Sequence, residues 1–226
     1  MKKMIILSEK KWHDDLCYNL KKSLPSFNWI HLKNKEDFNL THLRQINPDK
    51  IFIPHWSHII HENIYSEFEC ILFHMTDLPF GRGGSPLQNL IIRGFNETKI
   101  TALKVEKGLD TGPIYIKAEL SLHGTAQEIF LNSSNVIQEM IIKIIQENIH
   151  PKNQLGSPIV FKRRKPSDGN IEVLKKIDEV YDYIRMLDAD GYPNAFIEFG
   201  EFRLEFSRAK KESNKTLLAD VRIIKK

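Results

Sequence analysis

Cys70-Ile71-Leu72-Phe73-His74-Met75-Thr76-Asp77-Leu78-Pro79-Phe80-Gly81-Arg82-Gly83-Gly84-Ser85-Pro86 passes from a short apolar run into a loop with three glycines and then to a proline. The run reads as a buried strand. Pro86 suits the first turn of a helix, through Arg93, because a missing N–H costs little there. His74 therefore stands at the carboxyl end of a strand, and the glycines behind it let backbone approach a ligand closely. In an open sheet with helices between its strands, ligands bind at that edge.

Upstream, Met4–Leu7, Trp29–Leu32 and Ile51–Pro54 are further strand candidates. Helical patterns lie between them, through Leu16 and Leu20 up to Pro25, and from Leu40 to Ile46 before Asn47-Pro48. A third is expected over Ile59–Phe68. Downstream, Lys99–Val105 and Ile114–Leu120 read as strands. Thr125–Asn148 reads as a long helix whose Ile129, Phe130, Val136, Ile137, Met140, Ile141, Ile144 and Ile145 make a broad apolar face. Strand alternating with helix implies βαβ units and an α/β fold, with a largely parallel sheet covered on both faces. Strands ending at Pro54 and Phe73 are expected to be neighbours.

Residues 148–157 are polar with a proline and a glycine and read as a linker, placing one domain at 1–150 and a smaller one at 151–226. In the latter, Ile177–Leu187 reads as a helix, 195–206 as a hairpin about Gly200, and Leu217–Ile224 as a last strand. A piece this small is marginal as an independent fold.

The chain has 226 residues, 41% hydrophobic and 27% charged, an ordinary globular composition that excludes disordered and fibrous classes. No apolar run approaches the roughly 20 residues that span a bilayer, and Met4–Leu7 is too short for a signal-peptide core. With only Cys17 and Cys70, a reducing cytoplasm without disulfides is expected. Net charge is +4, all of it in 151–226, including Lys162-Arg163-Arg164-Lys165. That excess is a solvated surface or an attraction for a phosphate-bearing ligand. It is weak as a nucleic-acid footprint, and no zinc-finger spacing or aromatic RNA-binding motif accompanies it.

The chemistry gathers on two loops. One carries His74. The other, Gly108-Leu109-Asp110-Thr111-Gly112-Pro113, sets one acid between glycines. A carboxylate beside an imidazole can orient it and raise its basicity, which suits proton transfer. From the residues alone, composition favours His74 as a satisfied loop histidine and Asp110 as a turn former. His55, His58 and His61 sit at i, i+3 and i+6, a spacing that drifts off one helix face and lacks a cysteine or acid partner, so no metal is expected.

These segments resemble the formyltransferases that use 10-formyltetrahydrofolate, whose pattern is Asn-x-His, Ser-Leu-Leu-Pro, Arg-Gly, a proline-started helix and, about thirty residues on, a Leu-Asp-x-Gly turn. His74, Thr76, Leu78-Pro79, Arg82-Gly83, Pro86 and Leu109-Asp110-Thr111-Gly112 fall in register over about residues 50–148. The resemblance implies a Rossmann-like formyltransferase fold with a small C-terminal α+β appendage. His74 and Asp110 become the catalytic pair. His55, Trp56, Ser57, Leu72, Leu109 and Thr111 become cofactor contacts; Thr76, Arg82, Gly83, Gly84, Ser85, Arg185 and Tyr192 become substrate contacts.

The family asparagine two residues before the histidine is replaced by Leu72, which cannot donate a hydrogen bond. Ser57, His55 and Thr76 are the nearby candidates for that role. The stretch Arg163-Arg164-Lys165-Pro166-Ser167-Asp168-Gly169 and the Gly191-Tyr192-Pro193-Asn194-Ala195-Phe196 segment resemble sugar formyltransferases, and the loop from Phe73 to Pro86 resembles those of pseudaminic-acid-type pathways. The expected acceptor is a nucleotide-linked amino sugar, with no nucleic-acid or membrane partner and a homodimeric state. A phosphoribosylglycinamide-type formyltransferase, or a non-catalytic folate or nucleotide-sugar binder, are the alternatives.

Overall fold

The apolar runs assemble as one six-stranded sheet in a computed structural model that describes all 226 residues. Its strands are Lys3–Leu7 (β1), Asn28–Leu32 (β2), Lys50–Pro54 (β3), Cys70–His74 (β4), Glu97–Lys104 (β6) and Ile114–Ser121 (β7). They lie in the order β2-β1-β3-β4-β6-β7. β1 runs parallel to β2 and β3, and β3 parallel to β4; β6 is antiparallel to β4. Ile5, Ile6 and Leu7 of β1 and Ile51, Phe52 and Ile53 of β3 are fully buried, as expected of central strands covered on both faces.

The order reverses between β1 and β3, the switch point where such sheets open a crevice at their carboxyl ends. In the register of β3 and β4, Ile53 pairs with Leu72 and Pro54 with Phe73, so the two strands end side by side, as expected.

Leu16–Ser23 (α1), Leu40–Ile46 (α2), Glu62–Tyr65 (α3) and Pro86–Ile91 (α4) fill the connections. Asn39 caps α2 through its side chain, accepting from the His42 N–H at 2.9 Å. α3 is one turn where a helix over 59–68 was expected. Ile59 is 84% exposed, so no buried stripe anchors an earlier turn. Phe80–Gly83 (β5), expected as pure loop, is a short strand that pairs with Ile159–Phe161 (β8). Its glycines carry no strand signal, so only the partner reveals it.

Ala126–Gln146 (α5) is the long helix, and Ile129, Phe130, Ile137, Met140, Ile141 and Ile144 are all buried on it. Ile177–Arg185 (α6) precedes an antiparallel sheet of Ala195–Phe199 (β9), Phe202–Lys211 (β10) and Leu217–Lys225 (β11), in the order β11-β10-β9.

Two compact units interleave along the chain. The first comprises 1–83, 98–120 and 131–160; the second comprises 84–97, 121–130 and 161–226. A boundary at 150 falls inside the last segment of the first unit. Nor is 148–157 a plain linker: Lys152 exchanges backbone hydrogen bonds with Ile114, at 2.7 and 2.9 Å.

Candidate active site

Within the first unit, the end of β4 and the loop after β6 bring His74 and Asp110 together. Both are almost fully buried, at 7% and 8% exposure. His74 Nδ1 lies 3.7 Å from Asp110 Oδ2, beyond a direct hydrogen bond but close enough for strong attraction once the imidazole is charged. His74 Nε2 lies 2.8 Å from the Gly81 carbonyl. A carbonyl only accepts, so Nε2 carries the proton and Nδ1 of the neutral ring presents a lone pair beside the carboxylate.

Asp110 is fixed in turn. Its Oδ2 accepts the Gly83 N–H at 2.8 Å, and its backbone adopts the left-handed region at φ 52. That turn requires Gly112, where a Cβ would stand 1.8 Å from the Lys104 carbonyl oxygen.

Gln154, from the segment read as a linker, clamps both loops. Its amide nitrogen donates to the carbonyls of Asp110 and Gly112, each at 2.8 Å, and its oxygen accepts from Arg82 at 2.7 and 3.2 Å. Arg82 thus acts here as a loop tie. Nothing in the local sequence marks Gln154, because its partners lie 44 and 72 residues away.

A second cluster forms at the switch point, and of its members only His55 is marked in the sequence. Trp12 and His13, in the loop after β1, meet His55 after β3. The His13 and His55 rings stack at 5.0 Å, and Trp12 lies edge-on to His55 at 5.8 Å. Burial, then His55 and His31 nearby, hold His13 well below the usual histidine range. Burial, with Lys10 and His74, holds His55 at about 3. Both rings are therefore neutral at pH 7.

The other sequence-predicted residues divide. Trp56 and Leu72 pack against the apolar cluster of Ile53, Ile64 and Phe68. The Trp56 Nε1–H is buried with no hydrogen-bond partner. Ser57, Leu109 and Thr111 are exposed. Thr76 corrects its expectation as a substrate contact: it is fully buried, with Oγ1 bonded to the Gly81 carbonyl and its own carbonyl accepting from Thr101 at 2.6 Å.

Gly84, Ser85, Arg185 and Tyr192 belong to the second unit. Arg185 is also corrected, since its guanidinium is spent on Asp182 at 2.7 Å and on the Leu122 and Gly124 carbonyls at 2.6 and 3.1 Å. Gly84 lets the Arg163 backbone approach, and Ser85 Oγ accepts the Arg164 N–H at 3.1 Å. Tyr192 packs on Phe130 at 5.3 Å between ring centres.

No cluster of three or more His, Cys, Asp or Glu side chains is placed to hold a metal ion, and no helix is long and apolar enough to cross a membrane. A cavity of about 530 Å³ lined by Lys50, Glu69, Lys104, Tyr115 and His150 contains none of the predicted site residues.

A sheet-edge histidine with a carboxylate 3.7 Å from its Nδ1, held by glycine loops, is an arrangement suited to proton transfer at the carboxyl edge of an α/β sheet. The chain belongs to the formyl transferase family, whose model matches residues 6–151; a model described as the methionyl-tRNA formyltransferase C-terminal domain matches 166–224. A solved structure of methionyl-tRNA formyltransferase from Clostridium thermocellum is 46% identical, with TM-score 0.97 over 100% of both chains. The methionyl-tRNA formyltransferase of Rickettsia prowazekii is 26% identical, over 83% of this chain and 63% of its own length. This chain spans between about half and two thirds of the curated relatives it matches. A sugar N-formyltransferase from Shewanella shares the fold at TM-score 0.72, with 14% identity over 94% of this chain and 99% of that one.

Proposed function

We propose that the protein is an N-formyltransferase, moving a formyl group from 10-formyltetrahydrofolate to a primary amine. The observation that carries this reading is the buried His74–Asp110 pair, with the imidazole tautomer set by Gly81. His74 Nδ1 takes the proton of the attacking amine and returns it to the leaving nitrogen. The Asp110 carboxylate stabilises the imidazolium in between without taking the proton itself. Bound 10-formyltetrahydrofolate supplies the activated formyl carbon. The buried Trp56 Nε1–H, which has no partner within the protein, fits a site that receives a heterocycle rich in acceptors.

For the acceptor, the reading is a nucleotide-linked amino sugar. It is supported by the Arg163-Arg164-Lys165-Pro166-Ser167-Asp168-Gly169 stretch, in which Arg163 is exposed and its charge bears on Tyr192. A guanidinium of that kind suits a pyrophosphate. The second reading, favoured by the names of the relatives, is an aminoacyl-tRNA. Formylation assays with a panel of nucleotide-linked amino sugars and with charged methionyl-tRNA decide between them. Product from the sugars alone, weakening as salt rises, supports the first reading, and product from tRNA alone replaces it. A homodimer through the apolar face of the β9–β11 sheet completes the proposal.

A further inference from the structure

Formyl transfer, the reading on which this inference rests, needs a hydrogen-bond donor for the oxygen on which charge develops. The donors at the carboxyl ends of β3 and β4 can be taken in turn. His74 Nε2–H is committed to the Gly81 carbonyl at 2.8 Å, and Thr76 Oγ1 to the same carbonyl at 3.3 Å. Leu72 has no donor, Ser57 is exposed, and the Trp56 Nε1–H is assigned above to the folate heterocycle.

His55 is different. Trp12 Nε1, which can only donate, lies 3.2 Å from His55 Nδ1. That nitrogen is therefore an acceptor, and the proton of the neutral ring sits on Nε2. His13 Nε2 donates to the same Nδ1 at 2.7 Å, and His13 Nδ1 accepts from Ser134 Oγ at 2.9 Å. The two donors share the single lone pair of His55 Nδ1, and this arrangement of protons runs consistently from Ser134 to His55. At its end the His55 Nε2–H faces the sulfur of Met75, at 2.7 Å.

A thioether is a weak acceptor, and an oxygen gaining negative charge is a strong one, so exchanging the first for the second is favourable. The backbone agrees. His55 directly follows Pro54, and Pro54 pairs with Phe73, the residue before His74. His55 itself takes the left-handed region, φ 47, a costly conformation for a residue with a Cβ and one concentrated at functional sites.

We propose that His55 is a catalytic residue of this chain, its Nε2–H leaving the Met75 sulfur to hydrogen-bond the formyl oxygen as that oxygen gains charge. Trp12, His13 and Ser134 are then positioning residues that keep the proton on Nε2.

The test combines kinetics with NMR of ¹⁵N-histidine-labelled protein, using 5-formyltetrahydrofolate as a stable probe. His55→Leu lowers kcat by about 10²-fold or more with little change in KM for the formyl donor, while His55→Gln, which keeps an N–H, retains more of the activity. On the unmodified protein the His55 Nε2–H resonance moves downfield when the probe binds, and Nδ1 stays unprotonated. This measurement decides the matter even if a variant fails to fold. A folded His55→Leu protein with wild-type kcat, or a bound probe that leaves the His55 resonance in place, overturns the inference alone. Absence of both probe binding and wild-type turnover rejects the formyltransferase reading, and the inference falls with it.

Discussion

At the scale of single residues, His74 and Asp110 have unequal duties. His74 must gain and lose a proton, so His74→Asn, which keeps the size and loses the base, is expected to cut turnover by about 10²-fold or more in a folded protein. Asp110→Asn leaves the loop nearly isosteric but removes the charge beside Nδ1; its loss should appear in kcat rather than in KM for the amine. Steady-state kinetics on both variants checks this. A folded His74→Asn protein with near-normal kcat would refute the assigned role. The motif residues were legible in the sequence because the chemistry is local, with a histidine at a strand end and an acid between glycines. His13 and Gln154 were not. The partner of His13 on α5 lies 121 residues away, and no local pattern encodes such a distance.

At the scale of elements, the turn that carries Asp110 shows how tightly the loops are built. Gly112→Ala drives a methyl into the Lys104 carbonyl oxygen, a contact that only a backbone shift can relieve. Gly94→Ala meets nothing within 4 Å and carries only the strain of its left-handed φ of 78. The first is expected to cost well over 2 kcal/mol and to reduce activity; the second, about 1 kcal/mol with activity intact. Chemical denaturation of the two variants separates steric from conformational cost. Strands and long helices were readable here from apolar periodicity. β5 and the shortness of α3 were not, since each depends on what a neighbour buries or leaves exposed.

At the scale of the whole molecule, two consequences can be measured. His13 and His55 are held below their ordinary values, so the unfolded chain binds protons that the folded one refuses. Stability should be flat above about pH 7 and fall as the pH drops below about 6.5, by about 1.4 kcal/mol per pH unit for each histidine involved. Urea midpoints at pH 7, 6 and 5 test this, and a flat profile contradicts a neutral His13–His55 pair.

The second consequence concerns association. The β9–β10–β11 registers put Phe199, Phe202, Val221 and Ile223 on one face with Ile197, Leu204 and Phe206, and the first four are 70%, 41%, 48% and 67% exposed. That is roughly 500 Å² of apolar surface, at the upper end of what a monomer shows and most of the core of a standard interface. A Phe199→Glu, Ile223→Glu double variant should sediment as a monomer with turnover retained, whereas a wild-type protein that is already monomeric at high concentration would refute the dimer.

The Gln154 amide has a further consequence, in the order of synthesis. Strands β1 to β7 and both signature loops leave the ribosome before the residue that ties the loops together. A nascent chain ending short of that glutamine holds its histidine and its aspartate but lacks the side chain that spans their loops. The strands can pair early, since domains form as their chain emerges, yet the catalytic edge is closed by one of the last segments of the first unit to appear. Catalytic competence is then a late event in the life of the chain, acquired after the sheet that carries it.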